Sequence, residues 1–376
     1  MKTLTCARCG QGVFFENVLC SACGATLGFD PDQLNFAAFE IDAEGKWQQL
    51  GAEQPALKPC ANYAQGICNW TLPADSSEML CRCCRTTEII PALSKPENQT
   101  YWRLLEEAKR RLFYGLISMK LPVPNKADDR EHGVAFHFLE QITPAEKVLT
   151  GHDDGVIVLN IAEADDAHRE SARARLHEPY RTLVGHFRHE IGHYYWDRLI
   201  SDSVWLEEYR RLFGDERADY AEALKKHYAN PNPGWQQSFI SVYASAHPWE
   251  DWAECWAHYM HIRDGLETAN TWGIKIQRRL PGALEVTPVP IDATSSPIGQ
   301  ALIEQWLPVS QFINAMDRSL GSHDSYPFVL TEPVIVKLEF IHKVISAAAS
   351  GQVPMRFAAA ELAVSQDEEA APRIAG

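Results

Sequence analysis

Residues 189–193 read His-Glu-Ile-Gly-His, and this pentad restricts the fold more than any other stretch of the chain. Two histidines four positions apart face the same way on an α-helix, where residues i and i+4 stand one above the other. Both imidazoles can then reach one Zn²⁺, with Glu190 between them beside a water on that metal. The flanks allow such a helix. From Glu178 to Ile200 the chain reads EPYRTLVGHFRHEIGHYYWDRLI, with Leu183, His186, His189 and His193 recurring at three- and four-residue steps. Pro179 suits a first helical turn, and no later proline interrupts the run. Gly192 costs a helix roughly 1 kcal/mol against alanine, so its presence implies that another backbone, or the metal, passes close by. His186, three residues ahead of His189, reads as a packed or supporting histidine, because two helical ligands and a distant third are the usual zinc arrangement.

Two downstream segments can provide that third ligand. In HPWEDWAECWAHYMH (247–261), Pro248 suits a first turn, and Glu250 and Glu254 share one helical face. One carboxylate can bind zinc while the other accepts the free N–H of a ligand histidine and fixes its tautomer. Trp249, Trp252, Ala253, Trp256 and Tyr259 give this helix an apolar surface to pack. The other segment is GDERADYAEAL (214–224), where Glu216 and Asp219 are the candidates. The first segment offers both a ligand and its supporting partner, which favours Glu250 and leaves Glu216 as the alternative.

The N-terminus carries a different metal signal. Cys6-Ala-Arg-Cys9-Gly10 and Cys20-Ser-Ala-Cys23-Gly24 are two knuckles separated by ten residues. Four thiolates at this spacing suit one tetrahedral zinc, and a glycine after each second cysteine eases the tight turn. Of Cys60, Cys68, Cys81, Cys83 and Cys84, the set Cys60, Cys68, Cys81 and Cys84 makes the most economical second site and leaves Cys83 spare. A disulfide framework is the rival reading, but the start MKTLTCARCGQGVFF lacks the apolar run of a secretory signal. Cys255, set among tryptophans, reads as a buried small residue. The expectation is three zinc ions, one catalytic and two structural.

Composition narrows the partners. The formal net charge is −15, and residues 1–95 hold seven Lys/Arg against ten Asp/Glu. Cysteine modules that bind nucleic acid need a basic surface, so phosphate binding is disfavoured here. No apolar run approaches the ~20 residues of a membrane-spanning helix, and a cytoplasmic protein is expected. A chain of 376 residues with 45% hydrophobic content can hold several domains. Residues 1–29 form a first ribbon, and 30–95 a second Cys₄ module with a connecting stretch at 30–59 and a proline-bearing linker. Residues 96–265 form the catalytic domain, with a helix at 101–119. Residues 266–350 begin as an irregular connection and continue as helices near 299–319 and 332–349. The tail, 351–376, is expected to be disordered.

HEIGH followed by a glutamate helix resembles the gluzincin branch of the zincin metallopeptidases, and EDWAECW is similar to the glutamate-ligand helix of anthrax toxin lethal factor and its relatives. That resemblance implies that Glu250 binds zinc, that Glu254 supports the site, and that Tyr243 in SVYASAHPWE stabilises the reacting carbonyl oxygen. The phrases TGHDDGVIVLNIAEAD, YRTLVGHFRHEIGHYYWDRL, FGDERADYAEAL and HPWEDWAECWAHY resemble, over nearly the whole chain to about residue 350, a bacterial family of zinc metallopeptidases with N-terminal zinc ribbons. The implied fold is α+β: a mixed sheet over the HExxH helix, with a mainly helical C-terminal part. The implied substrate is a peptide or protein, with Glu190 as the base. Zincins pair extended substrate with a sheet-edge strand, for which GVIVLNI (155–161) is the candidate, although a fully buried interior strand fits the same pattern. Two other readings stand beside this one. The first is a non-catalytic zinc scaffold whose ribbons bind a partner protein; the second is a nucleic-acid-associated protease.

Overall fold

The computed structural model describes residues 2–51, 55–143, 148, 150–176, 180–277, 285–295, 297–352 and 355. The expected helix start at Pro179 and nearly all of the expected disordered tail lie outside these residues.

The N-terminal knuckles fold as the cysteine spacing requires. Strands β1 (Leu4–Thr5) and β2 (Gly12–Val13) pair around the first. Gly10 and Gly24 both take positive φ, 74° and 71°, and their amides close the turns onto Cys6 and Cys20 carbonyls at 2.9 Å. Only glycine adopts that backbone without cost. The stretch read as a connection, 30–59, instead holds much of a three-stranded antiparallel sheet: β3 (Thr26–Asp30), β4 (Asn35–Ile41) and β5 (Trp47–Gln49). Phe36, Ala37, Ala38 and Phe39 are all buried, so β4 is covered on both faces and lacks the polar alternation by which a strand is recognised. A hairpin of β6 (Leu57–Pro59) and β7 (Thr71–Pro73) leads into the second cysteine group.

Helix α1 (Pro96–Ser118) joins the cysteine modules to the rest of the molecule. Towards the ribbons, its Arg110 guanidinium donates to the Ile67 carbonyl, and Phe15 packs edge-on against Tyr114 with ring centroids 5.7 Å apart. On the far side the Tyr114 hydroxyl donates to Glu267 at 3.1 Å. Lys109 and Glu106 are buried side by side at 3.2 Å beneath Cys83 and Cys84. Four thiolates outweigh the charge of one Zn²⁺, and Lys109 and Arg110 supply buried positive charge where the second cysteine group needs it.

The central sheet has the order β10-β11-β9-β8, from β8 (Thr87–Ile89), β9 (Ala135–Leu139), β10 (Gly151–Asp153) and β11 (Val156–Asn160). Strands β8, β9 and β11 run parallel, and β10 folds back on β11 through Asp154 and Gly155, whose φ values of 45° and 75° make a tight hairpin turn. The GVIVLNI strand is therefore interior, flanked by β9 and β10. The edge strand beside the HEIGH helix is β10, a correction to the edge reading of residues 155–161.

Apart from an antiparallel pairing of Ile276–Gln277 with Glu285–Val286 and short 3₁₀ turns, the remaining elements are helical: α2 (Asp166–Leu176), α3 (Leu183–Leu199), α4 (Leu206–Phe213), α5 (Tyr220–Ala229), α6 (Pro248–Thr271), α7 (Leu307–Ser319, entered through a π-helical turn) and α8 (Glu332–Ala349). Helix α3 begins at Leu183 because the Thr182 side chain caps it, accepting from the Gly185 amide at 3.0 Å. Helix α8 clasps α6 through buried Lys337, whose ammonium donates to Asp251 at 2.6 Å and to the Ser238 carbonyl at 2.8 Å. One hydrophobic core runs from the ribbons through α1, α3 and α6 to α8. The architecture is mixed α and β, and no helix among the described residues is long and apolar enough to cross a membrane.

Candidate metal centre

Helices α3 and α6 pack face to face, and the pairing depends on Gly192. A Cβ placed there would lie 3.1 Å from the Ala253 Cα and 3.2 Å from the Trp256 Cβ, so the close backbone expected at this glycine is that of α6. The Trp252 indole N–H donates to the Gly192 carbonyl at 2.9 Å, and Tyr195 stacks on Trp256 at 5.0 Å and 15°. The contact sets the first turns of α6 against the middle of α3, opposite the two histidines.

His189, His193 and Glu250 converge there as one potential metal-binding group. The two Nε2 atoms lie 3.2 Å apart. Glu250 Oε2 lies 2.9 Å from His189 Nε2 and 3.6 Å from His193 Nε2. Tetrahedral ligands at zinc distances of 2.0–2.1 Å stand about 3.3 Å apart, so the trio fits zinc. Glu250 is almost fully buried, yet its Oε2 accepts no aligned hydrogen bond. A buried carboxylate oxygen facing two imidazole nitrogens is stabilised by a cation between them.

The surroundings orient these atoms. His189 Nδ1–H donates to Glu254 Oε1 at 2.8 Å, which turns Nε2 towards Glu250. Glu254 Oε2 in turn accepts from Ser241 Oγ at 2.6 Å. Burial alone would push the His189 pKa down, but the close carboxylates of Glu250 and Glu254 outweigh it and hold the pKa well above the usual value. Burial likewise opposes ionisation of Glu250, and the charges of His193 and His189 overcome it, leaving a strongly acidic carboxyl. The centre favours positive charge. His193 differs: its Nδ1 has no hydrogen-bond partner, and its ring lies 4.0 Å from that of Trp249.

Glu190 is buried beside the trio without being part of it. Burial raises its pKa, opposed by the charges of His189 and His193. Tyr243, in a short 3₁₀ turn, places its ring 5.9 Å from that of His189. Burial and the neighbouring Glu250 charge push its phenol pKa far up, so the hydroxyl stays a donor. Glu216 sits elsewhere, ion-paired with Arg210 at 2.6 Å, and the Asp219 side chain caps α5. His186 Nδ1 lies 3.6 Å from Glu163, outside the trio, and Cys255 is fully buried with its thiol 3.5 Å from Asp251.

Three neighbours were not singled out from the sequence. Tyr220 donates its hydroxyl to Glu250 Oε1. His152, on β10, stacks on His193 at 6.3 Å and 18°, and burial drives its pKa down to about 3. Ser241 supports Glu254. Each is one residue from its own segment, with no spacing to mark it.

The cysteines form two separate groups, Cys6, Cys9, Cys20, Cys23 and Cys60, Cys68, Cys81, Cys84. Sulfur–sulfur distances are 3.7 Å for Cys6–Cys23, 3.6 Å for Cys9–Cys20 and 3.8 Å for Cys68–Cys81. Zinc–sulfur bonds of 2.3 Å in a tetrahedron require about 3.75 Å, and all ten cysteines are free. Backbone amides of Trp70 and Cys81 point at Cys68 and Cys60 sulfur at 3.3 Å, as suits thiolates. Cys83 is buried outside its quartet.

Comparison with known proteins agrees with this chemistry. Residues 98–344 match the family described as "Putative zinc-binding metallo-peptidase", and residues 3–95 match a zinc-ribbon domain. Uncharacterized proteins of Mycobacterium tuberculosis and Mycobacterium bovis are 42% identical over 351 residues, covering 93% of this chain and 96% of theirs. No solved structure matches the chain.

Proposed function

Because this chain belongs to that zinc-binding metallo-peptidase family and carries an N-terminal zinc-ribbon domain, we propose that it hydrolyses peptide bonds at a zinc site of the gluzincin type. His189, His193 and Glu250 hold the catalytic zinc, and the two cysteine quartets hold structural zinc. The observation that carries the reading is the convergence of two Nε2 atoms on an unsatisfied carboxylate oxygen, with a buried glutamate on the same helix between the histidines.

Bound zinc would supply Lewis acidity and lower the pKa of water towards about 7. Glu190 takes the proton of the attacking water and delivers it to the leaving amine; burial raises its pKa and so suits it to hold that proton. Tyr243 donates to the carbonyl oxygen as negative charge develops there, and one such donor is worth about 10²–10³ in rate. Glu254, steadied by Ser241, keeps His189 in the tautomer that presents Nε2. The substrate is a peptide or protein, and β10 is the edge strand beside the metal centre with which an extended chain would pair.

The test is Glu190→Gln, assayed on a mixture of denatured proteins. The variant is expected to keep its zinc and lose hydrolysis, since an amide cannot accept the proton. Equal rates for the two proteins would refute the assignment. Absence of hydrolysis by fully zinc-loaded wild type would favour the non-catalytic scaffold.

A further inference from the structure

We infer that Tyr220 is a positioning residue for the metal centre, fixing the third ligand through its second oxygen. The inference rests on the proposed zinc site and extends it to a helix that supplies no ligand. A buried carboxylate that binds metal through one oxygen leaves the other with lone pairs to satisfy. In Glu250 that oxygen is Oε1, and the Tyr220 hydroxyl donates to it. This bond stops rotation about the carboxyl group and withdraws charge from Oε1, so that Oε2 remains the atom facing the histidines.

Tyr220 is itself held in place from α6. It is the first residue of α5, a helix with no buried residue, and the Asp219 side chain caps that helix by accepting from the Glu222 amide at 2.9 Å. His247 performs two tasks at once. Its Nδ1 caps α6 by accepting from the Trp249 amide at 3.1 Å, and its Nε2–H donates to the Ala218 carbonyl at 3.1 Å. The segment carrying Tyr220 is therefore tied to the turn of α6 that carries Glu250. The Tyr220 ring stands edge-on to His247 at 5.3 Å and to Trp249 at 5.9 Å, which aims the hydroxyl.

The experiment measures affinity for the chelator-labile zinc by competition in the full-length protein, with the cysteine-bound zinc left in place. Tyr220→Phe keeps the ring and removes the donor. Loss of such a supporting bond typically costs 10–100-fold in metal affinity, and a weakening in that range is expected. With Co²⁺ replacing only the labile zinc, the visible bands are expected to shift, as a packing role for the ring would not require. Unchanged affinity together with an unchanged cobalt spectrum would overturn the inference. His247→Asn retains a capping acceptor but loses the tie to Ala218; it is expected to weaken zinc in the same direction. If Tyr220→Phe fails to fold, judged by loss of its cysteine-bound zinc, unchanged affinity in His247→Asn overturns the inference instead. Glu250→Ala separates the two levels of the argument. If it keeps the labile zinc, the zinc-site reading falls and this inference with it. If it loses the zinc while Tyr220→Phe binds normally, only the role of Tyr220 falls.

Discussion

Gly192→Ala sets two effects of opposite sign against each other at the joint of the metal centre. Alanine favours the helix over glycine by about 1 kcal/mol, so in a solvent-exposed turn of α3 the substitution would stabilise. Here the new methyl would sit 3.1 Å from the Ala253 Cα and 3.2 Å from both Cβ and Cγ of Trp256. None of these atoms is the free end of a flexible side chain, and Trp252 and Trp256 are fully buried. The helices must part by a few tenths of an ångström, and overpacking of this kind costs about 1–3 kcal/mol. The net expectation is a loss of about 1 kcal/mol, or a Tm lower by about 2–4 °C for a domain of this size. The larger effect falls on the metal. Histidines on α3 and the glutamate on α6 are separated by that joint, and zinc tolerates ligand errors of only about 0.2 Å. A roughly tenfold weaker affinity for the labile zinc is expected. Differential scanning calorimetry and chelator competition on the same preparations read both quantities. A raised Tm with unchanged zinc affinity would show that the α3–α6 contact does not set the ligand geometry.

Elemental analysis of the purified protein is expected to find three zinc ions per chain, two resistant to mild chelation and one labile; a single zinc with cysteines recovered as disulfides would refute the cysteine-site assignments. Tyr243→Phe is expected to lower kcat far more than it raises KM and to leave zinc content unchanged; an equal loss in both Tyr243→Phe and wild type on removal of the metal, but no difference between them with zinc bound, would reduce Tyr243 to packing. Lys337→Met strands the buried Asp251 carboxylate that Lys337 neutralises at 2.6 Å, and a loss of about 3–5 kcal/mol in urea unfolding is expected. A change below about 1 kcal/mol would mean that α8 is not fastened to α6 by this pair.

What the sequence made legible is what metal chemistry writes locally. The i, i+4 histidines, the Glu250–Glu254 pair and the first cysteine quartet announce themselves through spacing, whereas in the second quartet only Cys81 and Cys84 have knuckle spacing; the fold brings each group together. The choice between Glu250 and Glu216 was not local, since it turns on Arg210 holding Glu216 away from the centre. Tyr220, His152 and Ser241 reach the centre singly, from α5, β10 and the loop before α6, and a single residue carries no periodicity. Strand roles were hidden for a related reason. The pattern of β11 states that Ile157 and Leu159 are buried, but not that β10 will pair on its far side and take the edge. The capping role of Thr182, by contrast, is written in YRTLVG, because threonine just before a helical run is a standard start signal.

The same geometry bears on why ribbons and peptidase fold occur in one chain. Ribbons that served only to recruit a partner would need few contacts with the domain they accompany. Here the core passes without interruption from Cys68 and Trp70 into Leu112 and Phe113 of α1, and on to α3 and α6. Arg110 and Lys109 lie buried beside the second cysteine quartet; burial opposes their charged forms, but Glu106 and the Cys83 and Cys84 sulfurs around Lys109, and the Cys68 and Cys83 sulfurs and Glu106 around Arg110, hold both pKa values above their usual ones. Dispersing that quartet would strand two buried cations on α1 with only Glu106 to offset them, and a stranded buried charge costs several kcal/mol. Helix α1 is also what Tyr114 fastens to α6 through Glu267. The second cysteine quartet is thereby joined, through α1, to α3 and α6, the helices whose side chains meet at the candidate metal centre.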